Sequence, residues 1–252
     1  LAGIIIFFSD LGTPLIVGFY LTDLDDSSWA TMPVPGMWEL NGYGDPVYVN
    51  TGFAWRGHYK ENPPYPPTKD NHVGSYRRTI TVPADWDGKQ IIAHFGSVTS
   101  NIYLYINGEF VGYTEDSKIA AEFDITKFVK PGDNLFAFQT FRWCDGSFCE
   151  DQDFWRLSGV ARDSYLYTLE PESQLTNIHI TPDLDANYKD GSLHIVGNTV
   201  GNIEVDLTLL DTGGKEICTT TVSSYDKEKK TANTGFDATM AIENPLKWTA
   251  ET

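Results

Sequence analysis

The residues best suited to chemistry form one dense cluster, residues 142–159, in which four carboxylates, two arginines and four aromatic rings follow one another. Sugars present hydroxyl groups that hydrogen-bond to carboxylates, and a C–H face that packs on an aromatic ring. An open loop of this composition therefore predicts a saccharide contact. The alternative is that the acids cap turns and the rings fill a core.

Three acids of this cluster lie close together, and their spacing bears on catalysis. Glycoside hydrolysis generally requires two carboxyl groups that flank the scissile bond. Neighbouring side chains on one short loop diverge, so we assign Glu150, Asp151 and Asp153 to binding rather than to acid/base catalysis. The sequence contains no GxSxG, P-loop or GxGxxG motif, and its five histidines lack zinc-ligand spacing. The chain alone is expected to be non-catalytic.

The composition argues against two classes of partner. The 252 residues carry 35 acids and 18 lysines and arginines, and the net charge of −17 repels nucleic acid and anionic lipid. No apolar stretch is long enough to span a bilayer. Residues 1–8 suggest a buried strand rather than a secretion signal, because no lysine or arginine precedes Arg56. A chain without an initial methionine is expected to begin inside a longer polypeptide. Cys144 and Cys149 could pair in an oxidising compartment, but free thiols are favoured.

Short strands separated by turn residues predict an all-β first domain over residues 1–171. Apolar residues alternate with tyrosines over residues 102–106, and Asn107-Gly108 then supplies the positive-φ positions of a tight hairpin. The other predicted elements are strands over residues 74–82, 90–95 and 134–141, one helical turn over residues 125–129, and a long ordered loop over residues 26–72. This pattern is typical of a jelly-roll sandwich that carries the acidic loop at one rim.

A second β domain is predicted over residues 172–252, where the aromatic content drops and the strands become longer. The predicted strands cover residues 176–181, 192–200, 202–210, 216–223 and 235–242. An immunoglobulin-like sandwich needs about seven strands. Because only five can be identified, we expect this domain to be truncated and the chain to be part of a larger protein.

Specific motifs recur along the chain. The most specific are Arg142-Trp143-x-Asp145-Gly146-Ser147 and Glu150-Asp151-Gln152-Asp153-x-Trp155-Arg156-x-Ser158-Gly159. Others are Pro33-Val34-Pro35, Trp38, Asn41-Gly42-Tyr43, Pro46, Tyr48, Asn50, Asn107-Gly108, Val111-Gly112-Tyr113, Asp116-Ser117, Arg162-Asp163, Ile242-Glu243-Asn244-Pro245 and Trp248. Together they resemble the N-terminal region of glycoside hydrolase family 2, in its β-galactosidase type. The resemblance covers nearly the whole chain and is weakest over residues 1–25.

The resemblance implies a longer parent enzyme, a retaining β-galactosidase that hydrolyses terminal β-D-galactosides. In such an enzyme a jelly roll and an immunoglobulin-like sandwich precede a (β/α)8 barrel, and the barrel carries both catalytic glutamates. The implied partners are a β-galactoside substrate, the enzyme's own barrel and further copies of the same subunit. The implied source is bacterial, and both cytoplasm and periplasm stay open.

The resemblance also implies roles for two residues. Asp153 stands at the position that contacts the region of the galactose 6-hydroxyl and helps to bind a sodium ion, a role suited to an oxygen ligand. Thr99 stands where the family often has a sugar-contacting asparagine, which makes it the second substrate-binding candidate. Its hydroxyl can still donate or accept one hydrogen bond, but its reach is shorter, so the alternatives are a contact through water or a lost contact. Magnesium is a further candidate cofactor, in the barrel.

Three alternatives stay open. β-Glucuronidases and β-mannosidases share the architecture, although an acid near the sugar's C6 would repel the carboxylate of glucuronate. A stand-alone carbohydrate-binding module would use the same jelly roll without hydrolysis. An interaction scaffold would bind no saccharide.

Overall fold

The computed structural model describes residues 4–10, 18–60, 62–226, 231–232 and 235–248. The chain divides into two compact units, Leu1–Thr168 and Leu169–Thr252. The division falls after Thr168, whereas the sequence analysis places it after Pro171. Within the described residues, no helix is long and apolar enough to cross a membrane.

Within its described residues, the first unit is built from strands and three short helical segments. Its strands are β1 (Ile4–Asp10), β2 (Ala30–Met32), β3 (Gly36–Met37), β4 (Val47–Val49), β5 (His72–Val82), β6 (Gln90–Phe95), β7 (Val98–Thr99), β8 (Ile102–Ile106), β9 (Glu109–Thr114), β10 (Ala121–Asp124), β11 (Gly132–Phe141), β12 (Phe154–Arg156), β13 (Gly159–Val160) and β14 (Ser164–Leu169). The helical segments are two 3-10 turns, Glu39–Asn41 and Ala84–Trp86, and α1 (Ser147–Glu150).

Two sheets enclose the core of the first unit. Six strands pair in the order β2-β1-β5-β11-β8-β9, and three pair in the order β10-β6-β14. The buried core residues come from both sheets and their connections: Met32, Val34, Trp38, Tyr76, Val82, Ile91, Ala93, Phe95, Val98, Ile102, Leu104, Ile106, Ile125, Phe136, Phe138 and Val160. The predicted all-β sandwich is confirmed.

The β8–β9 hairpin shows how the sequence specifies this sandwich. Ile102, Leu104 and Ile106 are fully buried, whereas the intervening tyrosines are only partly buried, because successive side chains of a strand point to opposite faces. Asn107 and Gly108 have φ values of 51° and 90°, as the tight turn requires.

Two local predictions differ from the structure. Residues 26–72 were expected to form a long loop, but they contain β2, β3, β4 and a 3-10 turn. β2 pairs with β1, whereas β3 and β4 pair with β13 and β12, more than a hundred residues further along the chain, which local patterns cannot show. The expected helical turn at residues 125–129 is a hydrogen-bonded turn in which the amide of Phe128 donates to the carbonyl of Ile125 at 2.8 Å.

The second unit contains the five long strands that the sequence predicts, together with a short hairpin. They are β15 (Gln174–Leu184), β16 (Gly191–Val200), β17 (Glu204–Leu210), β18 (Glu216–Ser223), β19 (Tyr225–Asp226), β20 (Thr231–Ala232) and β21 (Gly235–Ile242). Sheet β15-β16-β21 and pair β17-β18 enclose a small core of Ile195, Leu207, Phe236 and Met240. The truncation of an immunoglobulin-like sandwich stays a prediction.

Candidate functional site

The acidic aromatic loop, residues 142–159, is anchored to regular structure at both ends. It leaves β11, a central strand of the six-stranded sheet, and it enters β13, which pairs with β3 and β7. In its middle, β12 pairs with β4. The loop is therefore held by backbone pairing on three sides rather than projecting freely.

Buried side chains fix the first residues of the loop. The Asn71 amide accepts a hydrogen bond from the Trp143 backbone N–H at 2.9 Å and donates to its carbonyl at 3.0 Å. Arg142 donates from Nη2 to the Asp45 carbonyl at 2.9 Å. Cys144 is buried, and burial raises the pKa of its thiol. Like Cys149 it is a free thiol, as the sequence analysis favours.

Glu150 points inward and secures a neighbouring segment. Its carboxylate accepts the Ser117 backbone N–H at 2.8 Å and also the Ser117 hydroxyl. Both contacts lie within the protein. The sequence analysis assigned this acid to ligand binding, whereas the structure uses it to brace the loop.

Asp151 is likewise engaged, with Arg156. Its Oδ1 atom accepts hydrogen bonds from Nε and Nη2 of that guanidinium at 2.8 and 2.7 Å, and both side chains are only about a tenth exposed. Burial raises the pKa of Asp151, and the charge and hydrogen bond of Arg156 oppose that rise. Arg156 also donates to the carbonyls of Val49, Phe154 and Gly52. This ion pair clamps the loop onto the segment around β4.

Asp153 is the acid of the Glu-Asp-Gln-Asp run that faces solvent. Its Oδ1 atom accepts a hydrogen bond from the Tyr48 hydroxyl at 2.7 Å, and this contact raises the pKa of the tyrosine. The rings of Tyr48 and Trp155 are 51% and 58% exposed and lie 5.5 Å apart between centroids. An accessible carboxylate beside two accessible rings is the combination that suits a sugar.

The pairing of β4 with β12 places Asn50 beside Asp153, a neighbour that sequence reasoning did not identify. Phe154 is opposite Val49 in this antiparallel pair. The next positions at that end of the ladder are Asp153 and Asn50, and Asn50 is exposed. Tyr48 and Asn50 both occur in the motifs quoted above, but only strand pairing brings them to the acid.

Thr99 lies on β7, opposite Gly159, and is half-buried. Its hydroxyl accepts a hydrogen bond from the Lys118 ammonium at 3.3 Å. That ammonium also lies 5.2 Å from the ring centroid of Phe154, the residue after Asp153. The two predicted sugar-binding residues therefore belong to one neighbourhood, but they are linked only through intermediate side chains.

A cleft beside the loop contains Thr99 in its lining. The other lining residues are Ala54, Trp55, Ser100, Ser117, Lys118, Arg142, Trp143, Ser147, Glu150, Asp151, Phe154, Arg156, Leu157 and Ser158. Its cavity volume is about 50 Å³, which is room for a few water molecules and not for a sugar ring. A galactose site at this rim needs walls beyond those that these residues supply.

Asp153 fits a role as one ligand of a hard cation, because it is an exposed carboxylate with a second oxygen besides the one bonded to Tyr48. Among the described residues, the acids and thiols close enough to share a metal are Glu115, Cys144 and Asp145. Their thiol suits softer metals than sodium. The remaining oxygens of a sodium site at Asp153 would therefore come from elsewhere.

A family assignment follows from sequence comparison. Residues 13–170 match the family described as glycosyl hydrolases family 2, sugar binding domain. The match covers more than half of the chain, and its last residues contain the acidic aromatic loop. The chain belongs to glycosyl hydrolase family 2.

Curated relatives refine this assignment. The chain is 36% identical over 247 residues to a β-galactosidase of Priestia megaterium, which covers 94% of this chain and 23% of the relative. It is 37% identical over 230 residues to a β-galactosidase of Pseudoalteromonas haloplanktis, which covers 89% of this chain and 22% of the relative. The chain thus spans less than a quarter of the length of these relatives.

Solved structures share the fold. A β-glycosidase from Bacteroides vulgatus superposes with a TM-score of 0.71 at 21% identity, over 99% of this chain and 29% of that one. A β-glucuronidase from Bacteroides uniformis gives a TM-score of 0.68 at 19% identity, over 98% of this chain and 28% of that one. At this identity the likeness concerns the fold alone.

Proposed function

We propose that this chain is the N-terminal part of a β-galactosidase and that it supplies one rim of the galactose site. The proposal is supported by the curated relatives, which are β-galactosidases that the chain matches over about nine tenths of its own length. The proposal goes beyond the family assignment, because it concerns the activity of a whole enzyme. This chain would be less than a quarter of that enzyme.

The exposure of Asp153 is the observation that carries the proposal. Glu150 is held by Ser117, and Asp151 is held by Arg156 with its side chain only 12% exposed, so both acids are less accessible to a ligand than Asp153. Among the described residues, Asp153 is hydrogen-bonded to a single tyrosine hydroxyl, through Oδ1, and the side chain is exposed. In the parent enzyme this carboxylate accepts a hydrogen bond from a galactose hydroxyl near C6 and contributes one oxygen to a sodium ion. Thr99 remains a second proposed sugar contact, with its hydroxyl shared with Lys118.

The catalytic step belongs to another domain in this proposal. The parent's barrel carries the acid/base and nucleophile glutamates, magnesium is a candidate cofactor there, and copies of the subunit assemble into an oligomer. The isolated chain is expected to show no turnover and at best weak galactose binding, because a cavity of about 50 Å³ cannot surround a sugar or exclude water from it.

The test is a kinetic comparison in the full-length parent, with an aryl β-galactoside as substrate. Asp153→Asn keeps the shape of the side chain and removes its charge, and it should raise KM, lower kcat/KM and weaken the dependence on sodium. Asp145→Asn is the matched control, because Asp145 is an exposed acid of the same loop. Unchanged kinetics and sodium dependence in Asp153→Asn would remove Asp153 from the site.

A second candidate is a β-glucuronidase, since β-glucuronidases are among the structural neighbours. An anionic Asp153 near C6 would repel the carboxylate of a glucuronide, which favours galactosides. The ratio of kcat/KM for aryl β-galactoside and aryl β-glucuronide decides between them. A preference for the glucuronide would overturn the galactosidase proposal. A gene that ended after Thr252 would instead favour the stand-alone carbohydrate-binding module.

A further inference from the structure

A second groove lies where β6 ends and β14 begins, in the first unit. Its lining includes His94, Gly96, Arg162, Asp163 and Tyr165. The cavity volume is about 600 Å³, against about 50 Å³ for the cleft beside the acidic aromatic loop, and the described lining residues of the two are all different. Binding sites for small molecules span roughly 300–1,000 Å³, so this groove has room for a ligand that the cleft cannot hold.

The backbone around the groove is fixed by hydrogen bonds. The Gly96 N–H donates to the Asp163 carbonyl at 3.0 Å, and Nη1 of Arg162 donates to the carbonyls of Lys118 and Gly96 at 2.8 and 3.3 Å. A Cβ at Gly96 would lie 2.9 Å from both Cβ of Arg162 and the carbonyl oxygen of Asp163, so the close approach of these two segments requires glycine. The groove is therefore a preformed feature of the fold, and a preformed site loses little entropy when it binds a ligand.

Tyr165 gives the groove an aromatic surface of fixed orientation. Its ring stacks on the His94 imidazole, with 4.4 Å between the centroids and 16° between the planes. The imidazole is held in turn, because its Nδ1 lies 2.9 Å from Oε1 of Glu122, which also accepts the Tyr167 hydroxyl at 3.1 Å. Tyr165 nevertheless remains 49% exposed. A half-exposed ring in a fixed orientation is suited to packing against the C–H face of a sugar.

The two charged residues of the groove, Arg162 and Asp163, select the class of ligand. Both are exposed, and they form a sequence motif that the proposed function does not use. The guanidinium would repel a cation and the carboxylate an anion, and the net charge of −17 adds to the repulsion of anions. A small zwitterion would match both charges but would leave most of the volume and the Tyr165 ring uncovered. A neutral molecule rich in hydroxyl groups both accepts from the arginine and donates to the aspartate.

We propose that this groove is a binding site for a neutral saccharide of roughly disaccharide size, in which Asp153 takes no part. The ring of Tyr165 packs on one sugar, and Arg162 and Asp163 hydrogen-bond to its hydroxyl groups. The site does not rest on the proposed function, because it requires neither the acidic aromatic loop nor a catalytic domain. A dissociation constant of about 1–10 mM is expected, since an open groove leaves much of the ligand in water.

The experiment is a titration of the full 252-residue chain, labelled with ¹⁵N, with lactose as the probe and amide NMR spectra as the readout. Saturable shifts are expected for the backbone amides of Gly96, Ala161 and Asp163, which line the groove. Tyr165→Ala should weaken this binding about tenfold because the stacking surface is lost, whereas Tyr165→Phe should keep the native affinity within about twofold. Tyr65→Ala is the matched control, because Tyr65 is a 70% exposed tyrosine outside the groove.

Four results would overturn the proposal. The first is the absence of saturable shifts at the groove with lactose, and the second is unchanged lactose binding in Tyr165→Ala. The third is tighter binding of glycylglycine than of lactose, which would make the ligand a zwitterion. The fourth is loss of the shifts in Asp153→Asn, which should otherwise leave them unchanged, so that this site and the proposed function can fail separately. If a variant fails to fold, the native titrations with lactose and glycylglycine still decide the matter.

Discussion

Replacing Arg156 with alanine should destabilise the first unit by about 3–5 kcal/mol, the usual cost of breaking one partner out of a buried ion pair. The structural basis is the low exposure of both partners, about 10% for Arg156 and 12% for Asp151. The substitution leaves the Asp151 carboxylate without its counter-charge. It also removes the hydrogen bonds that Arg156 donates to the carbonyls of Val49, Phe154 and Gly52. The loss of unfolding free energy should therefore be at least about 3 kcal/mol.

The dependence of this loss on pH provides an internal check. Burial raises the pKa of Asp151 and Arg156 opposes that rise, so removing the arginine lets the pKa rise further. A carboxyl whose folded pKa is raised binds its proton more tightly in the folded state, and stability is then lost as pH rises through the folded pKa. The destabilisation by Arg156→Ala should therefore be smaller in acid than at neutral pH.

Urea unfolding followed by tryptophan fluorescence is a suitable assay, because six of the seven tryptophans lie in the first unit. Arg56→Ala is the matched control. Arg56 is an exposed arginine that donates to the carbonyl and hydroxyl of Thr51, and its loss should cost less than about 1 kcal/mol. Equal losses in the two variants would refute the reasoning. The double variant Asp151→Ala with Arg156→Ala should recover part of the stability, because no unpaired charge is left.

Three further predictions concern single side chains. Burial raises the pKa of Glu39 above its ordinary value of 4.5, so the native chain loses stability as the pH rises and this carboxyl ionises. The Glu39→Gln variant has no such group, so its stability relative to the native chain should increase with pH. A stability difference that does not change with pH in urea titrations would contradict this. Tyr48→Phe removes an exposed donor to Asp153, and it should change stability by less than about 0.5 kcal/mol while raising KM for an aryl galactoside in the parent. A large stability loss would mean a structural contact instead. Gly74→Ala places a Cβ 2.5 Å from Cζ2 of the buried Trp38 ring and should cost about 1–3 kcal/mol, so an unchanged urea midpoint would contradict the packing.

Local patterns predicted the strands well, because the alternation of apolar and polar residues and the turn residues can be recognised within a few neighbouring positions. The hairpin of β8 and β9 is an example, since its apolar alternation and its Asn107-Gly108 turn lie within one short segment. The strands within residues 26–72 were missed for the opposite reason. Val47–Val49 has a strand partner about a hundred residues further along the chain, and nothing in its own sequence specifies that pairing.

The sequence predicts a candidate site on residues 142–159, but it could not distinguish the roles of the acids in that segment. Glu150, Asp151 and Asp153 have the same chemistry and lie within four positions. Their fates depend on partners at other points of the chain, such as Ser117, which lies 33 residues before Glu150. Tyr48 donates to Asp153 across 105 residues. Only the folded chain distinguishes acids that hold the loop from an acid that the loop presents.

That division of roles gives a reason why the proposed sugar-binding loop contains more carboxylates than a ligand needs. A carboxylate that recognises a hydroxyl gains most when its position is fixed before binding, because ordering a mobile loop would oppose affinity. Glu150 and Asp151 supply this order through contacts inside the protein. Asp153, two residues further on, then projects to solvent from a braced backbone. Substitutions at the first two acids should therefore weaken ligand binding indirectly, together with stability, whereas a change at Asp153 should weaken binding with stability retained.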